Sequence, residues 1–177
     1  YLSKEVRPAN EPSVVGDLLA ILMAAQPEVV YLHNPADKHD THVACLLRCI
    51  EALRAMPAEL RPKKVLGCEV WRGLDWMLDA EKVPMAVSAR PELANALNEV
   101  FATQIVGGKR YDLAVLGRRI ANATFHDAHA SDQETSLQWA LDLTPLINDP
   151  KLDVIEYTLG FVERLKQDIA DRLKRAL

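Results

Sequence analysis

His33, His39 and His42 fall within ten residues, HNPADKHDTH, together with Asp37 and Asp40. The chain has five histidines in all, so three of them stand at one place. Neutral imidazole is the commonest protein ligand for zinc, and a nearby aspartate can bind the ion or orient a ring. His39 and His42 are three apart, so on the first turn of a helix starting near Asp40 they share one side. A catalytic zinc site takes three protein ligands and keeps a fourth position for water. His42, alone or with His39, falls short of that set. Spacing alone therefore leaves two readings, a loop of helix-capping histidines or part of a metal site. His126 and His129 repeat the spacing in TFHDAH, where capping is the plainer expectation.

Other side chains have types suited to substrate contacts. CEVWRGLDW places Glu69 and Trp71 on one face at the end of a strand, with Arg72 and Asp75 in the next turn. Trp71 and Trp76 have the surface to wall a sugar-sized pocket, although tryptophans more often pack in cores or interfaces. Arg119 and Asn122, three apart and preceded by Arg118, can bind a polar or anionic group; a solvated helix face is the equal alternative. The glycines form neither a dinucleotide fingerprint nor a phosphate loop, and no serine or cysteine sits in a nucleophile elbow.

The elements that must hold these residues follow from periodicity and punctuation. Residues 1–12, with Pro8 and Pro12, are expected to be an extended lead-in. SVVGDLLAILMAAQ has helical spacing with Ser13 as its cap, and Pro27 ends it. EVVYLH is a short β-branched run bounded by prolines, a buried strand that delivers His33 to the histidine loop. THVACLLRCIEALRAM is helical up to Pro57, KKVLGCEVW is a second strand, and KVPMAVS is a third with Pro84 marking an edge. Pro91 opens a helix over RPELANALNEVFATQI that Gly107 and Gly108 stop; DLAVLGRRIANATF is another. LQWALDLTPLI fits strand or helix, and residues 153–177 form a long amphipathic helix with a basic end. Strand and helix alternate through the first half, the pattern of an α/β fold with a mostly parallel sheet flanked by helices. In such sheets ligands bind outside the carboxyl ends of strands, where HNPADKHDTH lies.

Composition bounds the partners. At 177 residues, 49% apolar and 26% charged, the chain fits one globular α/β domain spanning residues 1–177. A net charge of −4 gives no basic excess to displace counterions from phosphates, so no nucleic-acid partner is expected. No apolar run approaches a membrane span. Cys45, Cys49 and Cys68 are no disulfide framework; a reducing cytoplasm is the expected location.

In this order, LHNPADKHDTHVA, GCEVWRGLDW, GGKRYDLAVLGRR and ANATFHDAH resemble the PIG-L/LmbE family of zinc-dependent de-N-acetylases, over about Val29 to Asp153. The likeness is strongest to a branch whose members occur fused to a glucosamine-6-phosphate deaminase domain. The resemblance implies a Rossmann-like fold and hydrolysis of the acetamide of an N-acetylglucosamine-type sugar. It implies that His42 ligates Zn2+ and that His39 stabilises or protonates the tetrahedral centre. Asp37 or Asp40 can hold that imidazolium, and Asp40 joins His39 as a catalytic candidate. Trp71, Arg118, Arg119, Asn122 and Asp127 become substrate-binding candidates, Asp127 matching an acidic residue of a later family motif. The family's His-Pro-Asp-Asp stretch, which supplies two ligands and the general base, occurs nowhere in the sequence. By family geometry it would precede Tyr1, so the chain is expected to form the C-terminal part of a deacetylase, lacking its first strand–helix unit. Its expected partners are an amino-sugar substrate, that N-terminal segment and, at an exposed strand edge, further copies of itself. Two alternatives stand beside this: a domain of a glucosamine-6-phosphate deaminase-type protein, and a non-catalytic α/β interaction module.

Overall fold

In the computed structural model, which describes residues 1–9, 12–127 and 129–177, the chain runs through eight helices and four strands among the described residues. In order these are α1 (Ser3–Val6), α2 (Pro12–Ala25), β1 (Val29–His33), α3 (Asp40–Ala55), β2 (Lys64–Cys68), β3 (Val83–Ala86), α4 (Pro91–Glu99), α5 (Thr103–Val106), α6 (Tyr111–Thr124), β4 (Leu137–Asp142), α7 (Thr144–Asn148) and α8 (Val154–Ala176). The fold is mixed α/β, with a four-stranded sheet in the order β1-β2-β4-β3 flanked by helices. β1 and β2 are parallel, with His33 opposite Cys68, and α3 supplies the crossover that a parallel pair requires. β3 and β4 are antiparallel. These pairings do not amount to the mostly parallel sheet expected from the sequence: among the described residues no α-helix separates β2 from β3, and β4 runs antiparallel to β3 although α4, α5 and α6 lie between them. Pro84, which has no N–H to donate, lies in the outermost strand β3. The chain divides into two compact units, Tyr1–Lys82 with Leu141–Leu177, and Val83–Ala140.

In the first unit α3 is the central helix. α1 and α2 pack on it, and it packs in turn on β1 and α7. Leu46, Ile50 and Leu53 recur at helical spacing and are almost wholly buried, each worth about 1.5–3 kcal/mol. Pro57 forces Met56 into an extended conformation, which ends the helix. Two arginines then take up backbone carbonyls of α3, of α7 and of the loop that precedes α8. Arg54 donates to the Leu146 and Leu152 oxygens at 2.6 and 2.7 Å, and Arg61 donates to those of Ile147 and Arg54, both at 2.7 Å. Gly67 in β2 permits a close approach: a Cβ there would stand 2.9 Å from Leu143 Cδ1 and 3.3 Å from the His33 carbonyl oxygen.

α8 starts at its cap Asp153, whose Oδ1 accepts the N–H groups of Ile155 and Glu156 at 2.8 and 3.0 Å. Phe161 is its buried anchor, edge-on to Trp76 and to Tyr157. The expected lead-in holds the short helix α1. α2 includes Ser13 instead of starting after it, and residues 10 and 11 lie outside the described residues.

In the second unit α4 and α5 both pack on α6. The helix expected over residues 90–105 is broken at Phe101, whose N–H bonds the Asn98 carbonyl in a tighter turn at 3.1 Å. No helix of the described residues is long and apolar enough to cross a membrane.

Candidate metal centre

The site is built where β1 runs out. His33 is the last residue of the strand, and Asn34-Pro35 turns the chain away. Asn34 is fully buried; its Oδ1 accepts the Ala36 N–H at 2.8 Å and its carbonyl accepts the Asp37 N–H at 3.3 Å. This local turn, in which an asparagine side chain takes the place of a backbone acceptor, brings Asp37 back toward the strand end. The Asp37 side chain is only 4% exposed and uses both oxygens. Oδ1 accepts the His39 N–H at 2.8 Å, and Oδ2 lies 3.1 Å from His42 Nδ1. One carboxylate thus fixes the residue before α3 and a ring on its first turn, at the helix end where the macrodipole favours negative charge.

The rings close around this carboxylate. His33 stacks on His42 with centroids 4.1 Å apart and planes 5° from parallel. His39 lies 4.9 Å from His42 and is tilted to it by 59°. Its other neighbour is Trp71, edge-on at 5.2 Å, and Lys38 holds its Nζ 5.6 Å from the same indole.

Glu69 holds the loop that carries Trp71. It is buried, with Oε1 accepting the Arg72 N–H at 3.1 Å and Oε2 that of Leu74 at 3.2 Å. Gly73 and Leu74 both have left-handed backbones, φ 60° and 58°, which costs a non-glycine residue about 1–2 kcal/mol. Leu74 is wholly buried, and its packing and the Glu69 bond hold it there.

The electrostatics suit a ligand set. Burial and the neighbouring His42 lower the pKa of His33, with Asp37 opposing, which favours the neutral ring. Burial raises that of Asp37, but the bonds from His39 N–H and His42 outweigh it and the net shift is downward. Burial raises the Glu69 pKa against its hydrogen bonds, and the charge of Asp37 adds to the rise.

His33, Asp37 and His42 each present one donor atom, and these atoms lie within 4.8 Å of one another. Bonds of 2.0–2.1 Å in a tetrahedral site put donors about 3.3 Å apart, so the set would have to draw together by up to about 1.5 Å to hold a zinc-sized ion. The two-nitrogen, one-oxygen chemistry fits such an ion.

Of the residues singled out by sequence, His39, His42 and Trp71 come together here. Asp40 is exposed at the start of α3, and the carboxylate that engages the histidines is Asp37. His33 and Asp37 as metal donors were not legible from i, i+3 spacing, since they sit on the strand end and the loop. The signal that finds them is a histidine closing a strand immediately before a turn.

The remaining candidates belong to the second unit. Arg119 Nε donates to Gln138 at 3.3 Å, and Asn122, buried, donates to the Leu137 carbonyl at 3.1 Å. Arg118 is half-buried on the same helix, and exposed Asp127 accepts the His129 N–H at 2.9 Å. His126 lies against Trp139 at 5.0 Å. No protein-family model, curated protein or solved structure matches the chain.

Proposed function

We propose that the chain carries part of the site of a zinc-dependent hydrolase that removes the N-acetyl group from an N-acetylglucosamine-type amino sugar or its conjugate. The observation that carries this reading is the convergence of His33, Asp37 and His42 at the carboxyl end of a parallel strand. The HDTH spacing and the ordered blocks around it supply the amide and the sugar. The reading brings with it a Rossmann-like sheet, which the β1–α3–β2 crossover supports.

When bound, the metal would polarise the acetamide carbonyl and acidify a water. His33, Asp37 and His42 would hold it, one donor atom from each. His39, next to His42 and walled by Trp71, is placed to stabilise the oxyanion or give a proton to the departing amine. Trp71 would wall the sugar ring, with the Lys38 ammonium over the indole for a polar or anionic substituent.

Calorimetric titration with Zn2+ tests the centre. A saturable site with one ion per chain, lost in His42→Ala with the fold intact, is the expected result; no saturable binding would overturn it. Calorimetric binding of an N-acetylated amino sugar to the loaded protein, weakened by Trp71→Ala with metal retained, tests the substrate class; no binding would overturn it.

A further inference from the structure

α8 has two apolar faces, and only one is used within the chain. Thr158 and Phe161 face inward and are buried, and from Val162 onward no residue of the helix is buried. On the other side Ile155, Leu159, Val162, Ile169 and Leu173 are 37–68% exposed. With Lys166 between them, these positions advance in steps of four and three residues, the spacing of a coiled-coil seam. Scattered surface apolar residues need no explanation, but a seam maintained along a helix does. A helical half with no buried residue also lacks the packing that makes helices stable in water.

We infer that α8 pairs with α8 of a second copy of this chain, in an antiparallel two-stranded coiled coil. Antiparallel packing sets each position of one seam row against the other row of the partner. Ile155 then meets the partner's Leu173, Leu159 meets the partner's Ile169, and Val162 meets the partner's Lys166. All six seam residues find a counterpart in one register, as a twofold interface requires. Lys166 decides the direction. A parallel, in-register pair would set Lys166 against its own copy. The antiparallel pair gathers two Lys166 and two Glu163 about the axis, and these residues already form an ion pair at 2.9 Å within one chain. The first half of the helix carries Glu156 and Glu163 against Arg164, and the second carries Lys166, Arg172, Lys174 and Arg175 against Asp168 and Asp171, so antiparallel packing sets a net negative half against a net positive one. The helix dipoles favour the same direction.

Sedimentation equilibrium of the whole chain tests this. The expected mass is twice that of one chain, and Leu159→Glu with Ile169→Glu should return it to the monomer with an unchanged far-ultraviolet circular dichroism spectrum. A wild-type monomer at every concentration, or a dimer that survives the double substitution, would overturn the pairing. Direction is read by disulfide capture under mild oxidation. Ile155→Cys mixed with Leu173→Cys should cross-link, and neither should do so alone beyond the wild-type background. Cross-linking of Ile155→Cys with itself would overturn the antiparallel arrangement.

Discussion

Asp37 Oδ2 lies 3.1 Å from His42 Nδ1, while the other oxygen of the same carboxylate caps the His39 N–H. One side chain therefore sets the orientation of one histidine ring and the backbone position of another. Asp37→Asn keeps the size and loses the charge. Zinc affinity should fall by at least about 10-fold, since the centre loses an anionic donor that also touches the ring of His42. Competition with a chromophoric chelator measures it, and unchanged affinity would take Asp37 out of the centre.

Glu69 gives the fold a pH dependence whose sign is fixed by its raised pKa. The folded protein holds this proton more tightly than the unfolded chain, whose value is near 4.5. The contribution to stability is thus fully present below that value and is lost as pH rises through the folded value. Glu69→Gln removes the dependence but leaves one of the Arg72 and Leu74 N–H groups without a good acceptor, a loss of about 1–3 kcal/mol. Denaturant melts should show the variant furthest below the wild type in acid, with the gap narrowing toward neutral pH. A gap that widens would refute the assignment.

The thiol of Cys49 is pushed up to about 11 by burial and by neighbouring Cys45. Two pH units of lost thiolate make alkylation at pH 8 about 100-fold slower than for an ordinary thiol. Mass-spectrometric mapping with iodoacetamide should find Cys49 protected in the native protein and labelled in denaturant. Rapid native labelling would mean that α3 opens readily.

Asp153→Ala removes the acceptor for two N–H groups at the start of α8. The expected cost is about 1 kcal/mol, seen as a lower thermal midpoint. A drop confined to the helical signal, without loss of the Phe161 packing, would show that α8 frays independently.

Local rules carried the elements whose ends are marked by a proline or a cap. Pro57 ended α3, Pro91 opened α4, and Asp153 opened α8, because these residues act on backbone geometry directly. LQWALDLTPLI could not be divided by periodicity. It is a strand to Asp142 and then a short helix, with Thr144 Oγ1 accepting the Val65 N–H at 3.0 Å, a contact that only the folded chain makes. The same limit hid His33 and Asp37, two of the three donors of the candidate metal centre. His39 and His42 are neighbours by helical spacing, whereas His33 reaches His42 through the turn that Asn34 imposes, which no spacing rule encodes.

Gly67 binds no ligand, yet it borders both the His33 carbonyl and the side chain of Leu143. Any side chain there must displace the core or the strand end that carries the stacked histidine. A substitution at this position would therefore reach the candidate centre through packing alone, without touching any of its donors. Core packing and the geometry of that centre are in that sense a single inherited trait.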